Sequence, residues 1–568
     1  MPDYTPPIED MNFLLNHVTP LSKLGREDLD GNMVEAILDE AAKLAAGVLV
    51  PLNKKGDRQP AKVTDGVVTT SPGFKEAYKQ YCDGGWNAVP FDPDFGGQGL
   101  PWLMSFPVQE MWQAANMAFG LCPLLNQGAV DAIHTHGTKE QRDLYLPKLI
   151  SGEWTGTMNL TEPQAGSDLA LLRSRASLQA DGTYRITGQK IFITYGEHDF
   201  TTNIVHLVLA RLPDAPEGTR GISLFLVPKF LDDGSGNFTI RNDLKCVSLE
   251  HKLGIHGSPT ATMSFGDNGG ATGYLLGKEN EGLKCMFTMM NNARLSVGLQ
   301  GVAIADRALQ AAIQYAKERK QGKPMTGGDT APIIDHPDVK RMLLMMASQV
   351  EAARALAYEA AMYLDLARAG DKQAQGFVDL LTPIVKAWST DMAVEVASTA
   401  VQVHGGMGFI EETGVAQYYR DARILPIYEG TNGIQANDLI FRKILRDGGQ
   451  AALDWIAISR PQLESFENPL LGVALDELEE TTKFLVSHSG DPDRLASVAV
   501  PYLKLFGVVA GAVMLARSAL AADQAGNAEF AKRKHVKSAF YMTHILTGAV
   551  GMASTVHSEF GFSEKNLF

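Results

Sequence analysis

The sequence predicts an α+β protein whose helical and β regions are segregated along the chain: helices, then a β domain, then helices, then more helices. Three observations carry this. The stretches "NMVEAILDEAAKLAAGVL" (32–49), "GVAIADRALQAAIQYAKERKQ" (301–321) and "HPDVKRMLLMMASQVEAARALAYEAAMYL" (336–364) place apolar residues at helical spacing among strong helix formers. Between them, "TYRITGQKIFIT" (183–194), "NIVHLVLARL" (203–212) and "RGISLFLVPK" (220–229) are short β-rich runs separated by Gly, Asp and Pro. Strands and helices do not alternate, so a nucleotide-binding Rossmann sheet is not expected.

Taken in order, residues 1–154 read as an N-terminal helical domain. The loop "VPFDPDFGGQGLPW" (89–102) interrupts it with prolines and glycines, and "KEQRDLYLPKLISGEW" (139–154) closes it. Residues 155–275 form the middle β domain, which "GIHGSPTATMSFGDNGG" (254–270) continues in the same style. Residues 276–448 become helical after "KENEGLKCMFTMMNNAR" (278–294). Within them, "TDMAVEVASTAVQVHGG" (390–406) stops at a glycine pair. Residues 449–568 are an extra, alanine-rich helical domain with a linker near "SFENPL" (465–470).

A chain of 568 residues is long enough for several cores, and 45% hydrophobic with 20% charged residues supplies them. A net charge of −14 argues against a phosphate-backbone binder, so no nucleic-acid partner is expected. Cys82, Cys122, Cys246 and Cys285 have no metal-ligand or redox spacing and read as buried thiols in a reducing compartment. The opening "MPDYTPPIED" is acidic rather than basic and then apolar, unlike a secretory leader. The apolar run Leu505–Ala516 lies between Lys504 and Arg517, short of the roughly 20 residues a spanning helix needs. It reads as a buried helix; no membrane span is expected, and the location expected is cytoplasmic.

"PIYEGTNGIQ" (426–435) sets one acid, Glu429, among hydrophobic, aromatic and small residues where a helix is expected to begin. A solvated charge needs no such setting, whereas a base that removes a carbon-bound proton does. Burial raises a carboxylate's pKa by up to ~3–5 units, toward working pH. "MNLTEPQAGSDLA" (158–170) has a turn-forming Pro163 and hydroxyls at Thr161 and Ser167, able to meet an anionic or carbonyl-rich ligand, though taken alone a plain capped turn before a strand is the better reading. "GQKIFITYGEHD" (188–199) is an apolar strand ending at Thr194. Arg319 in "ERKQGK" reads alone as a surface charge. "QVHGGMGF" (402–409) offers a glycine-lined backbone, and His404, with no second ligand at suitable spacing, reads as a hydrogen-bonded core histidine rather than a metal ligand. No metal site is expected. Phosphate-type glycine loops are absent where they would matter.

Together, these segments resemble the acyl-CoA dehydrogenase family from about Pro90 to Ile444. The matching text is "PFDPDFGGQGL", "MNLTEPQAGSD", "ITGQKIFIT", "HKLGIHGSPT", "ARLSVGLQGVAIADRAL", "AKERKQG", "VQVHGGMGF" and "YYRDARILPIYEGTNGIQ", in the family's order. The resemblance implies a helical domain, a β barrel and a helical bundle with FAD between them. It places Glu429 on the family's catalytic base. Some members carry that carboxylate just before the arginine of the "AR" segment, where this chain has Ala293.

The same resemblance implies that Met158, Leu160, Thr161, Gly166 and Ser167 hold the flavin and its pyrophosphate, with Ser167 also touching the CoA arm. Phe192, Ile193 and Thr194 would pack on the isoalloxazine. Many relatives have Trp at the Phe192 position; an aromatic is kept and the indole donor is not. Thr431 and Asn432 would approach FAD at a helix N-terminus. Gly433 replaces the Gln frequent in the family and removes one side-chain contact. Arg319, Gln402, Val403, Gly405 and Gly406 would reach the FAD of a neighbouring subunit, which implies at least a homodimer. Arg294, Tyr428 and Gly430 would line the substrate.

The chemistry implied is α-proton abstraction by Glu429 and hydride transfer from the β carbon to flavin N5. The product is a 2-enoyl-CoA, and an electron-transferring flavoprotein is the acceptor. The opening "YTPPIEDMNFLLNHV" and the extra C-terminal domain resemble a long bacterial subgroup that includes 3-(methylthio)propanoyl-CoA (3-methylmercaptopropionyl-CoA) dehydrogenases of dimethylsulfoniopropionate degradation. Competing readings on the same fold are a short- or medium-chain acyl-CoA dehydrogenase of β-oxidation, an acyl-CoA oxidase, and a DNA-associated flavoprotein. The last predicts a basic C-terminal domain, where "AKRKHVK" (531–537) is the only cluster.

Overall fold

A computed structural model describes residues 4–325 and 327–558. They form two compact units that interleave in sequence. The β unit comprises Lys43–Pro101 and Ala115–Ala293; the helical unit comprises the chain up to Ala42, Trp102–Ala114 and the chain from Arg294.

The β unit carries twelve strands. β1 (Lys62–Thr64) and β2 (Val67–Thr69) form a small hairpin that the helical reading of residues 1–154 did not anticipate. These three-residue strands are too short to show a period. The others are β3 (Trp154–Asn159), β4 (Arg175–Leu178), β5 (Tyr184–Thr194), β6 (Asn203–Arg211), β7 (Ile222–Pro228), β8 (Phe230–Asp232), β9 (Phe238–Arg241), β10 (Leu244–Leu249), β11 (Thr260–Phe265) and β12 (Ala271–Leu276). The first half of β5 pairs with β12, β12 with β7, β7 with β6, β6 with β4, and β4 returns to β5, which closes a ring. The second half of β5 leaves that ring to pair with β11 and, beyond it, β10. β6 and β7 are mostly apolar because nearly every residue is buried on both faces, whereas β5 alternates.

β3 lies parallel to β6 and is seated by the helix Met117–His136. Asn126 accepts from the Gly156 amide at 3.0 Å and donates to the Leu149 carbonyl at 2.9 Å. A Cβ on Gly156 would stand 2.3 Å from the Ala129 methyl, so only glycine admits this contact. The helix thereby fixes the strand whose end opens into the loop 160–167.

In the helical unit, the helices Pro337–Arg368 and Lys372–His404 pack along each other, and the segment from Arg294 to Glu318 continues a helix that begins at Gly282. The helix Lys372–His404 is approached from two sides through glycines. Added Cβ atoms on Gly298 and Gly301 would stand 2.6 Å from Val385 and from the Ser389 carbonyl, and those on Gly507 and Gly511 would meet Trp388 within 2.4 and 2.7 Å. Arg354, 2% exposed, bridges Glu110 (2.7 Å) and Asp306 (3.2 Å) deep in this unit.

The N-terminal stretch and the extra C-terminal domain, both read as additions to the shorter family members, pack on each other. Phe13 meets Phe530 edge-on at 4.9 Å between ring centroids, Lys534 pairs with Asp10 at 2.6 Å, and Arg517 donates to the Val18 carbonyl at 2.7 Å. Lys534 and Lys537 also pair with Glu351, and Arg533 pairs with Glu9. Arg533, Lys534 and Lys537 of the basic cluster 531–537 are therefore engaged by carboxylates of this chain. Among the described residues, one helix, Pro492–Gln524, is long and apolar enough to cross a membrane; 83% of its apolar window is buried inside the protein. The run Leu505–Ala516 is thus the middle of a longer helix than the sequence suggested, and its burial is against other helices of its own unit.

Candidate active site

Eleven of the expected site residues lie in the helical unit and eight in the β unit. In the helical unit, Glu429 ends the turn 423–429 and precedes Gly430. Both have left-handed backbones, φ 57° and 81°. A non-glycine residue pays for that conformation, and such strain persists where surrounding contacts enforce it. The Gly430 carbonyl accepts from the Lys386 ammonium at 2.8 Å, and the Glu429 carbonyl accepts from the Gln435 amide at 3.4 Å. Thr431 caps the following helix Asn432–Asp438 by accepting from the Ile434 amide at 3.2 Å. The Asn432 side chain is engaged within the unit, by Lys386 at 2.8 Å, Thr390 at 2.9 Å and Asp391 at 2.7 Å.

Arg294 and Lys386 face this turn from the two helices that Gly298 and Gly301 bring together. Arg294 is 5% exposed and pairs with Asp438 at 3.5 Å. The Glu429 side chain is half-buried, yet atoms crowd its carboxyl. Burial pushes it up to about 7, against the opposing pull of the Arg294 and Lys386 charges. Tyr428 donates to Gln300, and Gln300 donates to Gln113 at 3.0 Å. A carboxyl near neutrality on a rigid, strained turn is equipped to take a proton from a weak carbon acid.

In the β unit, the loop after β3 and the second half of β5 come together. The Ile191 amide donates to the Thr161 carbonyl at 2.9 Å, and the Thr157 hydroxyl to the Thr194 carbonyl at 2.7 Å. The β5–β11 register shifts between Ala261 and Met263, which face Ile193 and Lys190, so β5 carries one extra residue there. This is a β-bulge, a device that re-aims a side chain. Phe192 sits in it with φ 60° and is 60% exposed. Ile193 points the other way, into the β core, so of this trio only Phe192 and Thr194 present side chains outside it. Gly166 and Ser167 are exposed, Thr161 and Leu160 half-buried and Met158 buried.

The loop is held by residues that sequence reasoning missed. Glu162 accepts from Lys190 (2.8 Å), from the Ser174 hydroxyl (2.6 Å) and amide (3.0 Å), from the Arg173 amide (2.7 Å) and from Gln164 (2.6 Å). Burial would raise its pKa, but these donors and the Lys190 charge hold the carboxyl at about 2. The available signal was the lone cation of "GQKIFIT" beside the lone anion of "TEPQ". Each was legible as a surface charge, and only their pairing shows otherwise.

Arg319 lies exposed at the end of the helix ending at Glu318, and Gln402, Gly405 and Gly406 are exposed where Lys372–His404 stops. Val403 is buried. Tyr315 stacks on His404 at 4.3 Å, which sets the two helix ends side by side. The His404 ring is bonded to the Ala400 carbonyl at 2.7 Å, the hydrogen-bonded histidine read from the sequence.

An exposed aromatic held on a bulge, next to Thr194 at the strand end and beside the loop that carries Thr161, fits a flat ring system with a polar rim. The residues present therefore fit an isoalloxazine.

Four family models cover the chain: acyl-CoA dehydrogenase N-terminal domain over 34–153, middle domain over 157–268, C-terminal domain over 280–444, and acetyl-CoA dehydrogenase C-terminal like over 451–559. The 3-methylmercaptopropionyl-CoA dehydrogenase of Ruegeria pomeroyi is 48% identical over 96% of this chain and 96% of its own. A butyryl-CoA dehydrogenase of Syntrophomonas wolfei is 35% identical over 95% of this chain and 93% of its own. Among solved structures, Caenorhabditis elegans ACDH-11, in complex with C11-CoA, superposes with a TM-score of 0.80 at 21% identity, over 96% of this chain and 92% of that one. That likeness shows the fold.

Proposed function

Because the chain belongs to the acyl-CoA dehydrogenase family of FAD-dependent oxidoreductases, we propose that it converts 3-(methylthio)propanoyl-CoA to the 2-enoyl-CoA with Glu429 as the base. The observation that carries this is a carboxyl pushed up to about 7 on a strained turn, in a chain 48% identical to a relative named for that substrate. This reaction suits dimethylsulfoniopropionate degradation in the cytoplasm.

The α C–H of a thioester is a weak acid, and an ordinary glutamate is a poor base for it. Burial narrows the gap from the side of the base. Hydrogen bonds to the thioester oxygen, one of them from the Glu429 backbone N–H, narrow it from the side of the enolate. FAD, when bound, supplies the two-electron oxidation of the β carbon. Met158, Leu160, Thr161, Gly166, Ser167, Thr194, Thr431 and Asn432 would hold it, Ile193 through its backbone, and Phe192 would lie against its ring. Arg294, Tyr428, Gly430 and Ser167 place the thioester.

Arg319, Gln402, Val403, Gly405 and Gly406 serve the neighbouring subunit's FAD in a homo-oligomer of at least two copies. Exposed Met407 (48%) and Phe409 (89%) beside them support such an interface. An electron-transferring flavoprotein is the acceptor.

The test is a screen of 3-(methylthio)propanoyl-CoA, butyryl-CoA and octanoyl-CoA with a dye acceptor, beside Glu429→Gln. The methylthio substrate should have the highest kcat/KM. The variant should stay folded and yellow while losing on the order of 10²–10⁴-fold or more in turnover. Near-normal turnover in Glu429→Gln would end the base assignment; a clear preference for butyryl-CoA would end the substrate assignment.

A further inference from the structure

Lys386 has no place in the reading above, yet it is built closely around the turn that carries the base. It lies in the middle of the helix Lys372–His404 and is 0% exposed. A lysine that deep needs partners for its donors. It has two within 2.8 Å: the Gly430 carbonyl, one residue past Glu429, and the Asn432 side chain, one residue past the helix cap Thr431. Asn432 is in turn fixed to the same helix through Thr390 and Asp391. The clamp therefore spans the two left-handed residues Glu429 and Gly430 and the start of the helix behind them.

We propose that Lys386 is the positioning residue of the base: its ammonium ties Gly430 and Asn432 to the helix Lys372–His404, so that the Glu429 turn keeps its left-handed form, and while protonated it sets a positive charge near the Glu429 carboxylate. The proposal rests on Glu429 being the base.

The charges in and around the clamp can all be named. On the turn itself are Tyr428 and Arg423, and from Pro492–Gln524 comes Lys504; Arg423 and Lys504 act on Asp391. From the helix that begins at Gly282 comes Arg294; from Lys372–His404 come Lys386 and Asp391; from Asn432–Asp438 comes Asp438, with Arg442 just beyond it. Asp438 is already paired with both arginines, and Asp391 is bonded to Asn432. That leaves Arg294 and Lys386 as the cations whose fields act on Glu429. Burial pushes Lys386 down to about 7 while the Glu429 and Asp391 charges oppose it, so the tether itself weakens as pH rises. The glycine pair Gly298 and Gly301 fits this purpose. Side chains there would push the Arg294 helix away from Val385 and Ser389, the residues that flank Lys386.

The experiment uses the FAD-loaded full-length enzyme with butyryl-CoA and a dye acceptor, and compares Lys386→Met, Lys386→Gln and Glu429→Gln. Lys386→Met removes donor and charge. It should retain FAD and lower kcat on the order of 10²-fold, the cost of a misplaced catalytic group, with KM within about threefold of wild type. Losing a nearby cation should move the acid limb of the kcat/KM profile about one pH unit upward. Lys386→Gln keeps a neutral donor, so it should recover kcat to within about tenfold of wild type while keeping the shifted limb. If Lys386→Met does not fold, Lys386→Gln alone carries the test through its pH profile. A residue that merely fills space would lower the rate without moving that limb, and an unmoved limb in the variants overturns the proposal. Where Glu429→Gln is inactive and the limb is unmoved, only Lys386 has been misjudged. Where Glu429→Gln still turns over, the base assignment itself has failed.

Discussion

The ammonium of Lys190 stands 2.8 Å from the carboxylate of Glu162, and their side chains are 0% and 3% exposed. This pair joins β5, which carries Phe192 and Thr194, to the loop that carries Thr161, Gly166 and Ser167. Breaking one side of a buried pair leaves a charge without its partner, which costs about 3–5 kcal/mol. Lys190→Met should therefore lower the unfolding free energy measured in urea by that order and loosen FAD retention on gel filtration. The pH dependence has a definite sign. Glu162 is held at about 2, below its ordinary 4.5, so the stability it supplies is present above 4.5 and is lost as pH falls toward 2. Wild type should lose stability more steeply than Glu162→Gln as pH falls from 4.5 toward about 2. Parallel losses in the two proteins would show that the carboxylate is not held by its donors.

Glu429 has the opposite sign. Its carboxyl is raised from 4.5 to about 7, so the folded chain binds that proton more tightly than the unfolded one. Stability from this group is complete below 4.5 and declines as pH rises to about 7. Glu429→Gln lacks that loss. The difference in Tm, variant minus wild type, should grow across this interval and stay level above it, while wild-type kcat/KM rises through about the same pH. A Tm difference that is constant with pH would mean that the carboxyl is solvated as an ordinary glutamate.

Lys534 is 4% exposed and holds both Asp10 and Glu351. Lys534→Met should cost about 3–5 kcal/mol, because two carboxylates lose a buried partner. It should also speed hydrogen exchange over residues 8–18, the stretch that Phe530 and Arg517 otherwise help to hold. Arg533→Ala should cost no more than about 1 kcal/mol, since its pair with Glu9 is solvent-exposed. Equal effects from the two substitutions would show that the N-terminal stretch is not anchored at Lys534.

Much of the architecture was legible because periodicity is a local property. Helical spacing in 336–364 and the apolar run 203–212 each report burial on a repeating face, and both are the elements expected. The hairpin β1–β2 and the short strands β4, β8 and β9 were missed because three or four residues cannot show a period. Glu429 was legible because a charge among apolar residues requires a reason. Glu162 and Lys190 were not, because each sits in a segment that reads equally well as a turn or a strand edge, and their partners lie 28 positions apart.

By itself the sequence determined the order of helical and β segments, the acid in "PIYEG" and the hydroxyls of "TEPQAGS", since these depend on residue type and spacing along the chain. Only the tertiary structure decided that Lys386, 44 positions before Gly430, grips its carbonyl, that Phe192 is turned outward on a bulge while Ile193 enters the core, and that Lys534 closes on Asp10 from 524 positions away. The physical reason is that a hydrogen bond or ion pair between distant segments leaves no periodic trace in either one. Its energy depends on burial and geometry, which exist only once the chain has folded.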